Sequence, residues 1–177
     1  DAWAVYHSGL PVTQYLVLNT TVGGQSDNEV IWSDEHPTSS VFTVGNHGTT
    51  NDDGSTMIGY CFADVKGYSK FGSYTGNGNA DGPFIYLGFK PAYVLYKRTD
   101  GAADWHVYDN KRDSFNVVDI TLFPSGNNAE SSGDALDFLS NGFKQRNTGA
   151  EANGAGSTYI YMAFAENPFT TSTGVPA

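Results

Sequence analysis

The chain has 177 residues, a formal net charge of −10 and only 16% charged residues against 14% aromatics. That length can bury a real core, in one domain or in two closely packed halves, and the acidic balance excludes bulk electrostatic binding to nucleic acid or to an anionic membrane. The single cysteine, Cys61, excludes an internal disulfide, so packing or oligomerisation must supply the stability.

Short alternating runs separated by turn residues begin at the N-terminus. Residues 2–7 predict a first strand, and residues 13–18 a second, with Tyr15 and Val17 on one face and Leu16 and Leu18 on the other. Residues 29–33 place Val30 and Trp32 on one side of a third, and residues 39–44 predict a fourth before the loop 45–53. Residues 54–64 form the next strand. Residues 68–74 end in Thr75-Gly76-Asn77-Gly78-Asn79-Ala80-Asp81-Gly82, a strong turn signal. Residues 84–87 and 92–97 flank Gly88-Phe89-Lys90-Pro91, and Asp100-Gly101 turns the chain into residues 104–108. Residues 115–122, 136–139 and 143–146 follow, and a loop through Ala155 leads to the last strand. No segment of helical length carries a clean apolar stripe, so the reading is all-β: about a dozen short strands in an antiparallel β-sandwich, jelly-roll-like in form.

An internal correspondence organises the chain. Gly54-Ser55-Thr56-Met57-Ile58-Gly59-Tyr60-Cys61-Phe62-Ala63-Asp64 returns in edited form as Gly156-Ser157-Thr158-Tyr159-Ile160-Tyr161-Met162-Ala163-Phe164-Ala165-Glu166, 102 positions later. Asn51 and Asn153 obey the same offset, as do Trp3, Val5 and Tyr6 with Trp105, Val107 and Tyr108. A register held over so much sequence predicts an internal duplication. Residues 1–66 then form a partial first repeat and residues 67–177 a full second one, the two packed as one sandwich unit. Both copies of the eleven-residue motif are expected to be central strands covered on both faces, and Trp3 and Trp105 to be core anchors. The start at Asp1 without Met predicts a processed or partial polypeptide. No signal peptide is read, nor any apolar run long enough to cross a bilayer.

Chemistry-bearing residues are scattered. Asp34 with Glu35, Asp52 with Asp53, and Asp134 with Asp137 are close pairs, yet they sit among turn residues. A sugar hydrolase would need two carboxylates converging about 5–5.5 or 6.5–9.5 Å apart, which spacing alone cannot reveal. Residues 51–54 and 77–82 are rich in oxygen donors, but turn chemistry accounts for both and neither completes an EF-hand loop. His7, His36, His47 and His106 have no ligand-type spacing, and Cys61 has no neighbouring Cys or His. Lys97, Arg98, Lys111 and Arg112 are expected to pair with local carboxylates or with a neighbouring subunit. The reading is a non-enzyme with no catalytic residues, no metal and no cofactor. The binding candidates are Trp32, Asp34 and His36: Trp32 breaks the repeat, and a ring flanked by hydrogen-bonding groups suits sugar stacking.

Several strings resemble a β-rich domain common in tail-fibre and related appendage proteins of tailed bacteriophages. They are residues 61–65 and 67–78 (Cys61-Phe62-Ala63-Asp64-Val65, then Gly67-Tyr68-Ser69-Lys70-Phe71-Gly72 and onward), residues 88–98, 108–112 and 139–143, and the stretch from Tyr159 through Phe169. The resemblance implies a setting and no catalytic residue. It implies a virion, extracellular location, other virion subunits as partners in a homo-oligomer such as a trimer, and a host-surface glycan or protein as target, without nucleic acid or membrane insertion. On that basis the expected function is attachment, each copy contributing weak affinity that multivalency amplifies. The alternative is a purely structural decoration or assembly protein, which predicts Trp32 and the apolar loop positions to be buried or at subunit contacts. A carbohydrate-active enzyme on a lectin-like sandwich ranks behind both.

Overall fold

Alternating apolar residues become strands in this protein wherever a neighbouring strand completes the hydrogen-bond ladder. The computed structural model describes residues 2–168; Asp1 and Phe169 lie outside the described residues. The strands are β1 (Ala4–Val5), β2 (Leu16–Val17), β3 (Ser69–Thr75), β4 (Phe84–Tyr86), β5 (Pro91–Arg98), β6 (Trp105–Asp109), β7 (Leu136–Leu139), β8 (Gly142–Gln145) and β9 (Thr158–Ala165). Two short helices, α1 (Asn28–Trp32) and α2 (Gly48–Asn51), lie between β2 and β3. The sheets are antiparallel: a four-stranded sheet in the order β3-β9-β5-β6, a three-stranded sheet β4-β8-β7, and the two-stranded pair β1-β2. The all-β reading holds.

The last strand is the one that closes the large sheet. β9 enters between β3 and β5, pairing Tyr161 with Gly72 on one side and with Tyr96 on the other. Its alternation feeds two cores. Tyr159, Tyr161 and Ala163 join Tyr74, Tyr96 and Tyr108 of the same sheet and Ile85, Leu136, Phe138 and Phe143 of the three-stranded sheet. Ile160 faces the other way, with Leu95, Trp105 and Val107 against Leu10 and Leu16. Gly72 is required by this insertion, because a Cβ there would stand 2.7 Å from the Tyr161 hydroxyl.

The turn that delivers β9 is pinned by Asn153. Fully buried, its side-chain amide donates to Asn77 Oδ1 at 3.0 Å, Asn79 O at 2.8 Å and Asn147 O at 2.8 Å, and its Oδ1 accepts from Asn77 N at 2.8 Å. The Asn-rich stretch 77–81 is thereby a chain of side-chain-to-backbone turns, Asn79 N to Asn77 Oδ1 and Asp81 N to Asn79 Oδ1. Asn51, 102 positions earlier, repeats part of this geometry. Its amide donates to Gly45 O at 2.9 Å, where Asn153 donates to Asn147 O, and its backbone N–H bonds His47 O as that of Asn153 bonds Gly149 O. Gly54 and Gly156 follow at φ of 76° and 77°.

Beyond that turn the two motifs part. Residues 54–64 form no strand, and Ile58, Tyr60 and Phe62 are 67%, 66% and 58% exposed, whereas Ile160 is 2% exposed. This corrects the expectation of two central strands: the place between β3 and β5 admits one strand, and β9 takes it, while residues 54–64 join no ladder among the described residues. Trp3, 49% exposed, is likewise no core anchor, while Trp105 at 1% is one. Residues 29–33 are helical in place of the predicted strand, because burial falls on Asn28 and Ile31, three positions apart, and Asn28 Nδ2 fastens the first turn to Val12 O at 2.6 Å. Residues 39–44 have no ladder partner among the described residues. Residues 115–122 contribute only isolated bridges, Val118 to Leu136 and Leu122 to Val107.

Replacing Asn153 by Ala would leave two backbone carbonyls and the Asn77 N–H without their partner. We expect Asn153→Ala to cost about 2–4 kcal/mol and Asn51→Ala less than about 1 kcal/mol, read from urea unfolding of the two variants side by side. Equal costs would mean that the two turns carry equal structural weight.

Candidate functional site

The three binding candidates lie on one lobe but do not form a groove. Trp32 ends α1, and Ser33 and Asp34 follow with φ of 58° and 50°, a left-handed pair that stops the helix. The Trp32 indole is half-buried, edge-on to Phe42 at 6.1 Å and 74°. Its Nε1 and the Asp34 Oδ1 are closed to solvent without a hydrogen-bond partner. His36 is exposed, and its Nδ1 lies 2.8 Å from the Tyr6 hydroxyl. The open cleft beside α1, about 530 Å³, is lined by Glu29, Val30, Ser33, Val44, Gly45 and Asn46, and by none of the three. The basic residues pair as expected in part: Arg98 with Asp100 and Arg112 with Asp109, each at 2.7 Å. Lys97 is instead fully buried, donating to Arg98 O at 2.9 Å and Thr21 O at 3.3 Å, and burial pulls its pKa down to about 8.

A second constellation brings together residues that the sequence keeps far apart. His106 of β6 faces the tyrosine side of the large sheet, stacked on Tyr96 at 5.0 Å and 11°, with Phe123 edge-on at 5.3 Å. Its Nε2 is 3.2 Å from Glu151 Oε2, and its Nδ1, fully buried and without a hydrogen-bond partner, is 4.0 Å from Asp134 Oδ2. One ligand-type atom from each of these three residues lies within 4.8 Å of the others. The two carboxylates approach opposite ring nitrogens, and one cation can use only one of those, so the geometry suits a hydrogen-bonded clamp on the imidazole better than a three-ligand metal centre. Desolvation lowers the His106 pKa; Asp134 and Asp104 oppose that shift and Lys97 adds to it. His7 is also pushed down by burial, its Nε2 donating to Tyr161 O while Nδ1 accepts from Gly9 N.

The most extensive unusual surface is apolar. Trp3 stacks on Tyr60 at 6.2 Å, a Cβ at Gly59 would stand 3.4 Å from the Phe42 ring, and Phe62 meets Phe71 and Phe164 at 6.2 and 6.0 Å. Met57, Ile58, Tyr60 and Phe62 nevertheless remain largely exposed, together with Val41 and Phe42 nearby. Exposed apolar side chains grouped in this way mark a contact surface on most proteins. The sequence did carry the signal, since the same alternation builds β9; what it could not show was the missing cover.

Residues 1–168 match a family described as Domain of unknown function (DUF7483). The chain belongs to this family. The match to DUF7483 runs across both the uncovered motif and the paired one, and its description assigns no chemistry to either. No curated protein and no solved structure matches the chain.

His7 and His106 are both held neutral in the fold, below their ordinary value of 6.5. The unfolded chain therefore binds more protons below that value. Stability should be retained above about pH 6.5 and fall as the pH drops toward the folded values, by at most about 1.4 kcal/mol per pH unit for each histidine. Urea midpoints at about pH 7.5 and 5.5 check this. A variant carrying His7→Gln and His106→Gln should lose less stability over that interval than the parent, and an equal loss would assign the pH dependence to other groups.

Proposed function

We propose that this chain is a non-enzymatic building module of a larger extracellular β-rich appendage, of the tail-fibre kind that its sequence resembles, and that it works by protein–protein assembly. In this reading the module is built from two copies of one repeat. The second copy is complete, its two sheets packed as a sandwich, and the first is represented by its trailing half. The observation that carries the reading is the exposure of residues 57–62, an apolar alternating stretch left exposed although its counterpart 102 positions on is paired on both edges. Fully burying one side chain of the size of Ile58 contributes about 1.5–3 kcal/mol, so a surface with four of them favours association.

Assembly is favoured over glycan attachment at Trp32. The indole is engaged with Phe42 and its Nε1 is closed to solvent, which leaves little ring face for a sugar. Enzymatic hydrolysis has a pair of neighbouring carboxylates in Asp134 and Glu151, but His106 stands between them and neither lines the cavity of about 220 Å³ at Phe115 and Asn116 or the cleft beside α1. A virion location, homo-oligomerisation and a role beside host attachment are part of the same proposal.

Sedimentation of the full chain over a range of concentrations tests it. Ile58→Asp should weaken self-association by about 100-fold or more while shifting unfolding by less than about 0.5 kcal/mol, because the side chain is exposed in the monomer. A chain that stays monomeric at every concentration, or one that releases shortened oligosaccharides from a polysaccharide, would sink the assembly reading.

A further inference from the structure

We propose that residues 55–64, which pair with no strand among the described residues, are the central strand of a second four-stranded sheet, and that its neighbouring strands are supplied by the leading half of another repeat: a segment patterned like residues 67–102, bringing one strand of the β3 type and one of the β5 type. This rests on the assembly reading and names the partner for its apolar surface.

The argument comes from which contacts the first motif keeps and which it lacks. Contacts internal to the trailing half of a repeat are kept in both copies. Thr50 N bonds His47 O as Ala152 N bonds Gly149 O, and Ser55 N bonds Asp52 O as Ser157 N bonds Gly154 O, each pair 102 positions apart. The side-chain bond from Asn51 to Gly45 O repeats that from Asn153 to Asn147 O, and the left-handed glycines coincide.

The contacts that are lacking all lead to one region. Around β9, Asn153 bonds Asn77 and Asn79, and Gly76 exchanges bonds with Ser157 O and Gly156 N. The β9 ladder runs to residues 69–75 on one side and 91–98 on the other, and Thr99 N bonds Thr158 O. Each of these partners lies in residues 69–99. Among the described residues, no strand pairs with the first motif at the corresponding places. In the complete copy β5 separates Trp105 of β6 from β9; without a β5 counterpart Trp3 stacks directly on Tyr60.

The repeat offset sets the experiment. Residue 1 corresponds to residue 103, so an extra copy of residues 67–102 joined directly ahead of Asp1 on the full chain restores the register. Amide exchange of residues 56–63 and thiol labelling of Cys61 are then compared with the parent. Cys61 is exposed in the parent, whereas its counterpart Ala163 is fully buried. The extension should slow both exchange and labelling by about 100-fold or more, and Ser73→Pro placed in the added copy alone should abolish the protection. A shuffled extension of the same composition should give none. Equal protection by the shuffled extension, or no protection by the ordered one while β9 stays protected, would overturn the proposal. So would loss of β9 protection, since the added strands would then be displacing β3 and β5. If the extension fails while Ile58→Asp still disperses the parent, strand complementation falls and the assembly reading stands. If the parent does not associate and Ile58→Asp changes nothing, the assembly reading is the one that fails.

Discussion

The insertion of β9 between β3 and β5 is the constraint on which the rest depends. Strands separated by some sixty to ninety residues must be brought alongside the last segment of the chain before either core can close. The ladder on each side satisfies backbone polar groups that would otherwise be buried unpaired, and the alternation of Tyr159, Ile160, Tyr161 and Met162 then supplies one core on each face. Gly72 and Asn153 serve this insertion directly. One removes a side chain where the Tyr161 hydroxyl must pass, and the other ties the entering turn to the Asn77 loop.

The tyrosine face shows how much polar chemistry such a core can absorb. Tyr74 donates to Ala152 O and Tyr108 to Asp134 O, so large rings are buried with their hydroxyls satisfied. Burial raises the pKa values of Tyr74 and Tyr96 well above the ordinary value, and that of Tyr161 to about 12. His106 belongs to this face. It is stacked among tyrosines and clamped by Glu151, with Asp134 opposite, which makes it a structural imidazole with a pH signature. Lys97, next to Tyr96 on β5, points to the other face, in register with Trp105 and Ile160, and is buried with its ammonium against backbone carbonyls.

Residues 1–66 follow the same chemical rules with half of the partners. Their turns close and their left-handed glycine adopts the same φ, because those features need only nearby residues. The ladder and the apolar cover, which need distant strands, are the parts left undone. That division is what turns an ordinary apolar strand sequence into an exposed surface and makes assembly the economical reading of this protein.

The sequence by itself determined the all-β class, the positions of β3 through β9 within a residue or two, and the correspondence between Asn51 and Asn153, since these rest on period-two alternation and local turn chemistry. It could not decide whether residues 54–64 and 156–166, so alike in composition, would share one fate. That depended on which segment fills the gap between β3 and β5, a property of the whole arrangement: the gap admits one strand, and β9 takes it. Trp3 and Trp105 diverge for the same reason, one left half-exposed and the other sealed. The helix at residues 28–32 and the convergence of His106, Asp134 and Glu151 were likewise decided by tertiary packing, the first by where burial fell and the second by loops that meet only once the sheets are formed.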